Sequence, residues 1–415
     1  MKFLRTSCVI ATALLVGTPA WADIPLAGIS EASGPGATAG TSFRDGYLLA
    51  IDEVNQHGGI LGQKLALTQY NIETSPEAAT EAAQKAVAQK PFAILGPVFS
   101  GLTLASMQQT GSSGIPQFTG GEAASLTRKF HPGLLRTTLS QPGSAPRLGA
   151  LVSYGLAAKR VGLVTIDNEF GRDGKAALES ALKRRATPIV LETTVKPKQT
   201  DFAAVANDIK GANVDALVLY ITEAEIAGLL KALKAVGFDR PIVSDGLVAA
   251  QKVIEQAGPA VEGVLAHANI SVDAPSPAVQ GFVTRYTSRY GTRPDQNALK
   301  GFFAVQAIKA GVEQAGKVDA AAFLKLVKDE RLDNKRFPDL MGPVRYDYFG
   351  DLNRESYYLV VRGGKPQILA TIRTTEGGSV ELPSGKQVTL DSNEFRGELR
   401  SRLTVAQDAP AMRTR

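Results

Sequence analysis

Cysteine is all but missing. Cys8 is the only one in 415 residues, and Trp21 is the only tryptophan. Both fall in residues 1–22, which read as a secretory signal peptide. MKFLR carries two positive charges, CVIATALLVG is an apolar run too short to span a bilayer, and TPAWA leads with small residues into Asp23. With that segment removed no cysteine remains, which excludes a disulfide, a thiolate metal site and a cysteine nucleophile. No cysteine stands at the expected cut, so a free exported protein is expected rather than a lipid-anchored one. Histidine is also scarce: His57, His131 and His267 are scattered, without metal-ligand spacing. A G-x-S-x-G elbow is absent. No reactive constellation is left from which to argue an enzyme, a metal site or a cofactor. Charge of one sign is scarce too. The net excess is +6, and Lys2 and Arg5 depart with the leader, which leaves no nucleic-acid signal.

What is present is alternation. IPLAGIS reads as a strand, and Phe43, Tyr47, Ile51 and Val54 lie a helical turn apart. HGGILG stops that helix, and KLALTQYNI resumes as a strand. Ser75-Pro76-Glu77 is a helix start with a hydroxyl cap, proline in the first turn and an acid beside it. FAILG is a short buried strand, and the next helix begins near Ser100. The rhythm restarts after Gln141-Pro142-Gly143 with RVGLVTI, then DALVLYI, PIVSDG and VEGVLAH, each separated by helical patterns. Long helices follow over 279–290 and 295–314, and SYYLVVRGG and PQILATI close the globular part. Such alternation predicts an α/β chain of two doubly wound lobes, each a parallel sheet covered on both faces. Residues 374–415 weaken as a core signal and read as an appendage, an isolated hairpin followed by an amphipathic helix.

The stretch GPGATAG resembles a phosphate-binding loop only superficially. Its glycines, Gly34, Gly36 and Gly40, are one residue too widely spaced for the dinucleotide fingerprint. Pro35 offers no N–H, and no lysine follows. The loop reads instead as a strand-to-helix connection at the carboxyl edge of a parallel sheet, where such folds bind ligands.

The run DIPLAGISEASGPGATAGTSFRDGYLLAIDEVNQHGGILGQKLAL resembles the N-terminus of the branched-chain amino acid (leucine/isoleucine/valine) binding proteins of ABC uptake systems. The resemblance continues in ILGPVFSGLTLAS, IPQFTGGEAASLT, VGLVTIDNEFGRDG, KQTDFAAVANDIK, VDALVLYITEAEIAGLLK and GPVRYDYFGD, collinear over about residues 23–372. It implies a type I periplasmic binding fold, two lobes joined by a three-strand hinge that crosses near Ser140, Val272 and Tyr346. The lobes would comprise 23–140 with 273–345, and 141–272 with 346–373, leaving 374–415 as a C-terminal extension.

Ser100, at a helix start, reads equally as a carboxylate site and as an ordinary helix cap, and the resemblance places the family's carboxylate-binding serine there. Gly120 and Glu122 fall where the family uses a backbone contact and a threonine. Phe170 matches a covering aromatic, Glu223 a position often held by tyrosine, and Asp245 lies at or beside the ammonium-binding acid. Ala39 replaces a further tyrosine, and Phe99 adjoins Ser100. If Glu122, Glu223 and Asp245 all face the cleft, a cationic ligand would relieve their repulsion. The other reading has some of them at the surface or paired with Arg44 or Arg172. The expected function is capture of an amino acid or related small polar molecule in the periplasm by hinge closure, and delivery to ABC transporter permease subunits. No cofactor, nucleic-acid partner or membrane insertion of the processed chain is expected. The alternative is a sensor of amides or of aromatic or aliphatic acids that feeds a signalling partner.

Overall fold

A computed structural model describes residues 22–129, 131–374 and 379–408; the expected signal peptide lies almost wholly outside them. The first lobe opens with strands β1 (Ile24–Ser30), β2 (Leu65–Asn71), β3 (Ala93–Leu95), β4 (Gln117–Thr119) and β5 (Leu134–Arg136). They form one parallel sheet in the order β2-β1-β3-β4-β5. Helices α1 (Ala37–Gln56), α2 (Pro76–Ala88), α3 (Ser100–Thr110) and α4 (Ser125–Arg128) connect them. α2 starts as its sequence requires: the Ser75 hydroxyl accepts the Ala78 N–H at 3.2 Å, with Pro76 in the first turn.

The second lobe repeats the pattern with β6 (Val161–Ile166), β7 (Ile189–Val195), β8 (Ala216–Tyr220), β9 (Ile242–Asp245) and β10 (Leu265–Ala268). Its helices are α5 (Gln141–Ala150), α6 (Glu169–Lys183), α7 (Ala203–Gly211), α8 (Glu223–Ala235) and α9 (Gln251–Ala257). β6 and β8 are buried at every position, as central strands of a sheet covered on both faces must be. The chain then returns to the first lobe as α10 (Pro277–Tyr290), α11 (Gln296–Ala315) and α12 (Ala320–Asp329). α11 lies directly on α1, and glycine makes the approach possible. A Cβ on Gly46 would sit 1.9 Å from the Ala298 carbonyl oxygen, and one on Gly301 2.0 Å from that of Phe43.

The chain passes between lobes at about residues 139–140, 269–273 and 352–355. The third crossing falls beyond the expected Tyr346. The Tyr346 N–H is held by the Val327 carbonyl at 2.8 Å and the Arg136 N–H by that of Gly350 at 3.0 Å, which keeps the intervening turn on the first lobe. Antiparallel strands β11 (Ser356–Arg362) and β12 (Lys365–Thr374) then extend the second sheet beyond β10.

The tail is not an appendage. Strands β13 (Val380–Glu381) and β14 (Gln387–Val388) are the expected hairpin, but β13 pairs with β12, so the sheet runs β14-β13-β12-β11-β10-β9-β8-β6-β7. Helix α13 (Asn393–Asp408) packs on the π-helical turn Leu151–Gly155 that follows α5. Phe395, Leu399 and Leu403 are buried there, and Arg396 lies 4.0 Å over the Tyr154 ring.

Candidate functional site

The carboxyl ends of the parallel strands face each other across a cleft of about 740 Å³. Its walls are the 35–39 loop and the start of α3 on one side, and the starts of α6 and α8 with α9 on the other. Below it lies an inner chamber of about 40 Å³. Ala39, Phe99, Ser100, Phe170, Thr222 and Glu223 line both spaces, so the chamber is the floor of the cleft.

The glycine-rich loop is packed rather than open. The Gly36 N–H donates to the Thr74 hydroxyl at 2.9 Å, and a Cβ there would meet the Phe99 ring at 2.6 Å. It seats the start of α1 against the cleft wall.

Six of the seven residues expected from the sequence, Phe99, Ser100, Gly120, Glu122, Phe170 and Glu223, line the chamber. Asp245 does not. It stands behind Leu247, whose N–H its carboxylate accepts at 3.2 Å. Burial holds Asp245 well above the usual carboxylate range, and Glu122 pushes in the same direction. Ser100 begins α3, and its hydroxyl oxygen accepts the N–H groups of Glu122 at 3.2 Å and Ala123 at 3.1 Å. Those bonds occupy the lone pairs and leave the O–H to donate. Phe170 stacks on Tyr220 with ring centroids 4.5 Å apart. Its carbonyl accepts from Gln141 at 2.8 Å, and the same Gln141 side chain accepts the Ala124 N–H at 3.2 Å.

The acids are buried, but they do not pair with the arginines considered from the sequence. Arg44 holds Asp45, and Arg172 holds Asp167 and Glu169. Glu122 is met instead by Lys300 on α11, Nζ to Oε1 at 2.9 Å, and by the Asn269 amide, Nδ2 to Oε2 at 2.9 Å. Glu223 accepts from Asn297 Nδ2 at 2.9 Å. Burial, reinforced by Asp295, pushes the Glu223 carboxyl up to about 7. Glu31, also buried, accepts the Val98 N–H at 3.1 Å and the Phe99 N–H at 3.2 Å, and burial lifts it to about 7. Sequence reasoning missed Lys300, Asn297, Asn269 and Glu31. Lys300 alone left a signal, a charge within the apolar run ALKGFFAV.

Glu223 belongs to the second lobe and Asn297 to the first, so their bond crosses the cleft. Two others do the same: Lys252 Nζ to the Thr38 hydroxyl at 2.7 Å, and the Ser125 N–H to Asp173 at 2.7 Å. The arrangement offers a hydroxyl donor at the Ser100 side and the Glu223 carboxyl at the other. A solute with an acceptor at one end and N–H groups at the other matches both walls.

The chain is 28% identical over 376 residues to the Leu/Ile/Val-binding protein BraC3 of Rhizobium johnstonii, covering 86% of this chain and 96% of that one. It is 25% identical over 347 residues to the Leu/Ile/Val-binding protein of Escherichia coli, covering 80% and 88%. Among solved structures, the fold matches a branched-chain amino acid transporter substrate binding protein of Streptococcus pneumoniae in complex with isoleucine. The TM-score there is 0.75 at 23% identity, covering 84% of this chain and 98% of the other. It also matches an ABC transporter solute binding protein of Rhodopseudomonas palustris in complex with benzoate, at TM-score 0.76 and 20% identity, covering 88% and 98%. A family model described as periplasmic binding protein matches residues 23–365. Two α/β lobes facing each other across a cleft, and a match along most of the chain, lead to one conclusion: this protein belongs to the periplasmic binding protein family, whose members bind solutes without transforming them.

Proposed function

We propose that the protein captures a small solute carrying an amino or amide nitrogen, shuts its lobes over it, and delivers it unchanged to the permease of an ABC importer. The observation that carries this reading is the charge balance of the chamber. Glu122 and Glu223 line it with Lys300 as the one cation among the described lining residues, while Asp245 and the partnerless Asn269 Oδ1 are buried outside that lining. Two carboxyls set against one ammonium favour a ligand that brings N–H donors. The wide outer cleft takes the rest of the molecule, with Phe99 and Phe170 on its walls. A ligand shifts the open–closed balance only through contacts made better in the closed form. Phe170 and Glu223, which the second lobe contributes, supply that difference.

Mass spectrometry of the solute released by denaturing the purified protein identifies the ligand. Thermal shift across amino acids, amides, polyamines and aromatic acids checks its class. Stabilisation by nitrogen-bearing solutes is the expected outcome. If only aliphatic or aromatic acids lacking nitrogen stabilise the protein, the ligand class is wrong. A chemically altered ligand would overturn the capture reading itself.

A further inference from the structure

Lys300 is a buried lysine in the wall of a binding chamber, 2% exposed, on a helix that comes from outside the two loops flanking Glu122. A buried ammonium is costly unless paired and hydrogen-bonded. Here it donates to Glu122 at 2.9 Å and lies 3.4 Å from the Gly120 carbonyl oxygen. With Lys300 on one oxygen and Asn269 on the other, Glu122 has a partner at each atom a ligand could use. Glu223, also on the chamber lining, accepts from Asn297 and, unlike Glu122, has no cation paired with it among the described contacts. Asn297 and Lys300 are three residues apart on α11, so one helix face holds a carboxylate from each lobe.

We infer that Lys300 is a specificity-determining residue: its ammonium stands where the cationic end of a ligand would pair with Glu122, so the chamber refuses alkylammonium groups at that end and turns the ligand's N–H donors towards Glu223. This rests on the capture function proposed above, but the test does not need the natural ligand.

Lys300→Ala removes three methylene carbons and the ammonium from the chamber wall, and propylammonium is the missing piece. Lys300→Ala is expected to melt below the parent, and propylammonium to raise its Tm by about 3–6 °C. Uncharged 1-propanol at the same concentration should not. Neither the parent nor the Glu122→Gln/Lys300→Ala double variant should respond to propylammonium, because the first has no vacancy and the second no carboxylate. Propylammonium that leaves Lys300→Ala unchanged, or that stabilises parent and variant alike, overturns the assignment. If Lys300→Ala is recovered only unfolded, refolding from urea replaces the melt. Native far-UV circular dichroism regained with propylammonium but not with 1-propanol supports the role, and no recovery with either refutes it. A solute found by mass spectrometry in the parent, alongside a failed rescue, would leave capture standing and remove only the role of Lys300.

Discussion

Glu223→Gln is the substitution whose effect can be worked through most fully. The side chain is 6% exposed, and burial, with Asp295 adding repulsion, raises its carboxyl from 4.5 to about 7. Below pH 4.5 the group is neutral in folded and unfolded chains alike, and it costs nothing. Between 4.5 and 7 the unfolded chain releases its proton while the fold retains it, so stability falls as pH rises. Above 7 the full difference applies, about 3 kcal/mol at 1.36 kcal/mol per pH unit. Glutamine is neutral throughout and keeps an oxygen for Asn297. The variant should therefore gain on the parent steadily, from near equality at pH 4 to about 3 kcal/mol at pH 8. Urea unfolding of both proteins at half-unit pH intervals, followed by far-UV circular dichroism, measures the gap. Curves that run parallel from pH 4 to 8 would refute the argument, because they would mean that Glu223 titrates alike in both states.

His131 should show the opposite sign. It is buried against Thr110, and burial drives it down to about 4, so its contribution is present above 6.5 and lost as pH falls from 6.5 to 4. His131→Gln should flatten that acid limb in the same unfolding series. Phe170→Ala removes the ring stacked on Tyr220 and one wall of the chamber. Affinity for the co-purified solute, read by calorimetry, should fall at least about tenfold, since a lost buried aromatic contact exceeds about 1.4 kcal/mol. Leu399→Ala, in the tail helix, should cost about 2–5 kcal/mol if α13 is part of the second lobe's core. Its midpoint in urea should move even with no ligand present, whereas an appendage would leave the midpoint unchanged.

The lobes were legible because each strand and helix declares itself locally: apolar runs such as RVGLVTI, caps such as Ser75-Pro76, stops such as HGG. The first-lobe residues of the site followed, since Ser100 and Phe99 lie at a strand-to-helix junction. Other features depend on contacts between distant segments and leave no local trace. Lys300 lies 178 positions from Glu122 in the chain, and the two meet only through the tertiary packing that seats α11 on the first lobe, its glycine-lined crossing with α1 included. The docking of α13 was hidden for the same reason. Its apolar face matches a π-helical turn some 240 residues earlier, marked in the sequence by nothing more than LVSYG. Asp245 shows the converse: its position along the chain was anticipated, but its side chain is spent on capping the turn at Leu247.

Hydrogen bonds that span the cleft, among them those from Asn297, Lys252 and Ser125, also bear on how fast the protein can work. Full separation of the lobes, which opens the inner chamber, requires those bonds to part. The arrival rate and the apparent affinity are therefore both scaled down by the share of molecules standing ajar at any instant. Loosening the Lys252–Thr38 tie at the mouth should quicken uptake, while the chamber that recognises the solute stays as it is.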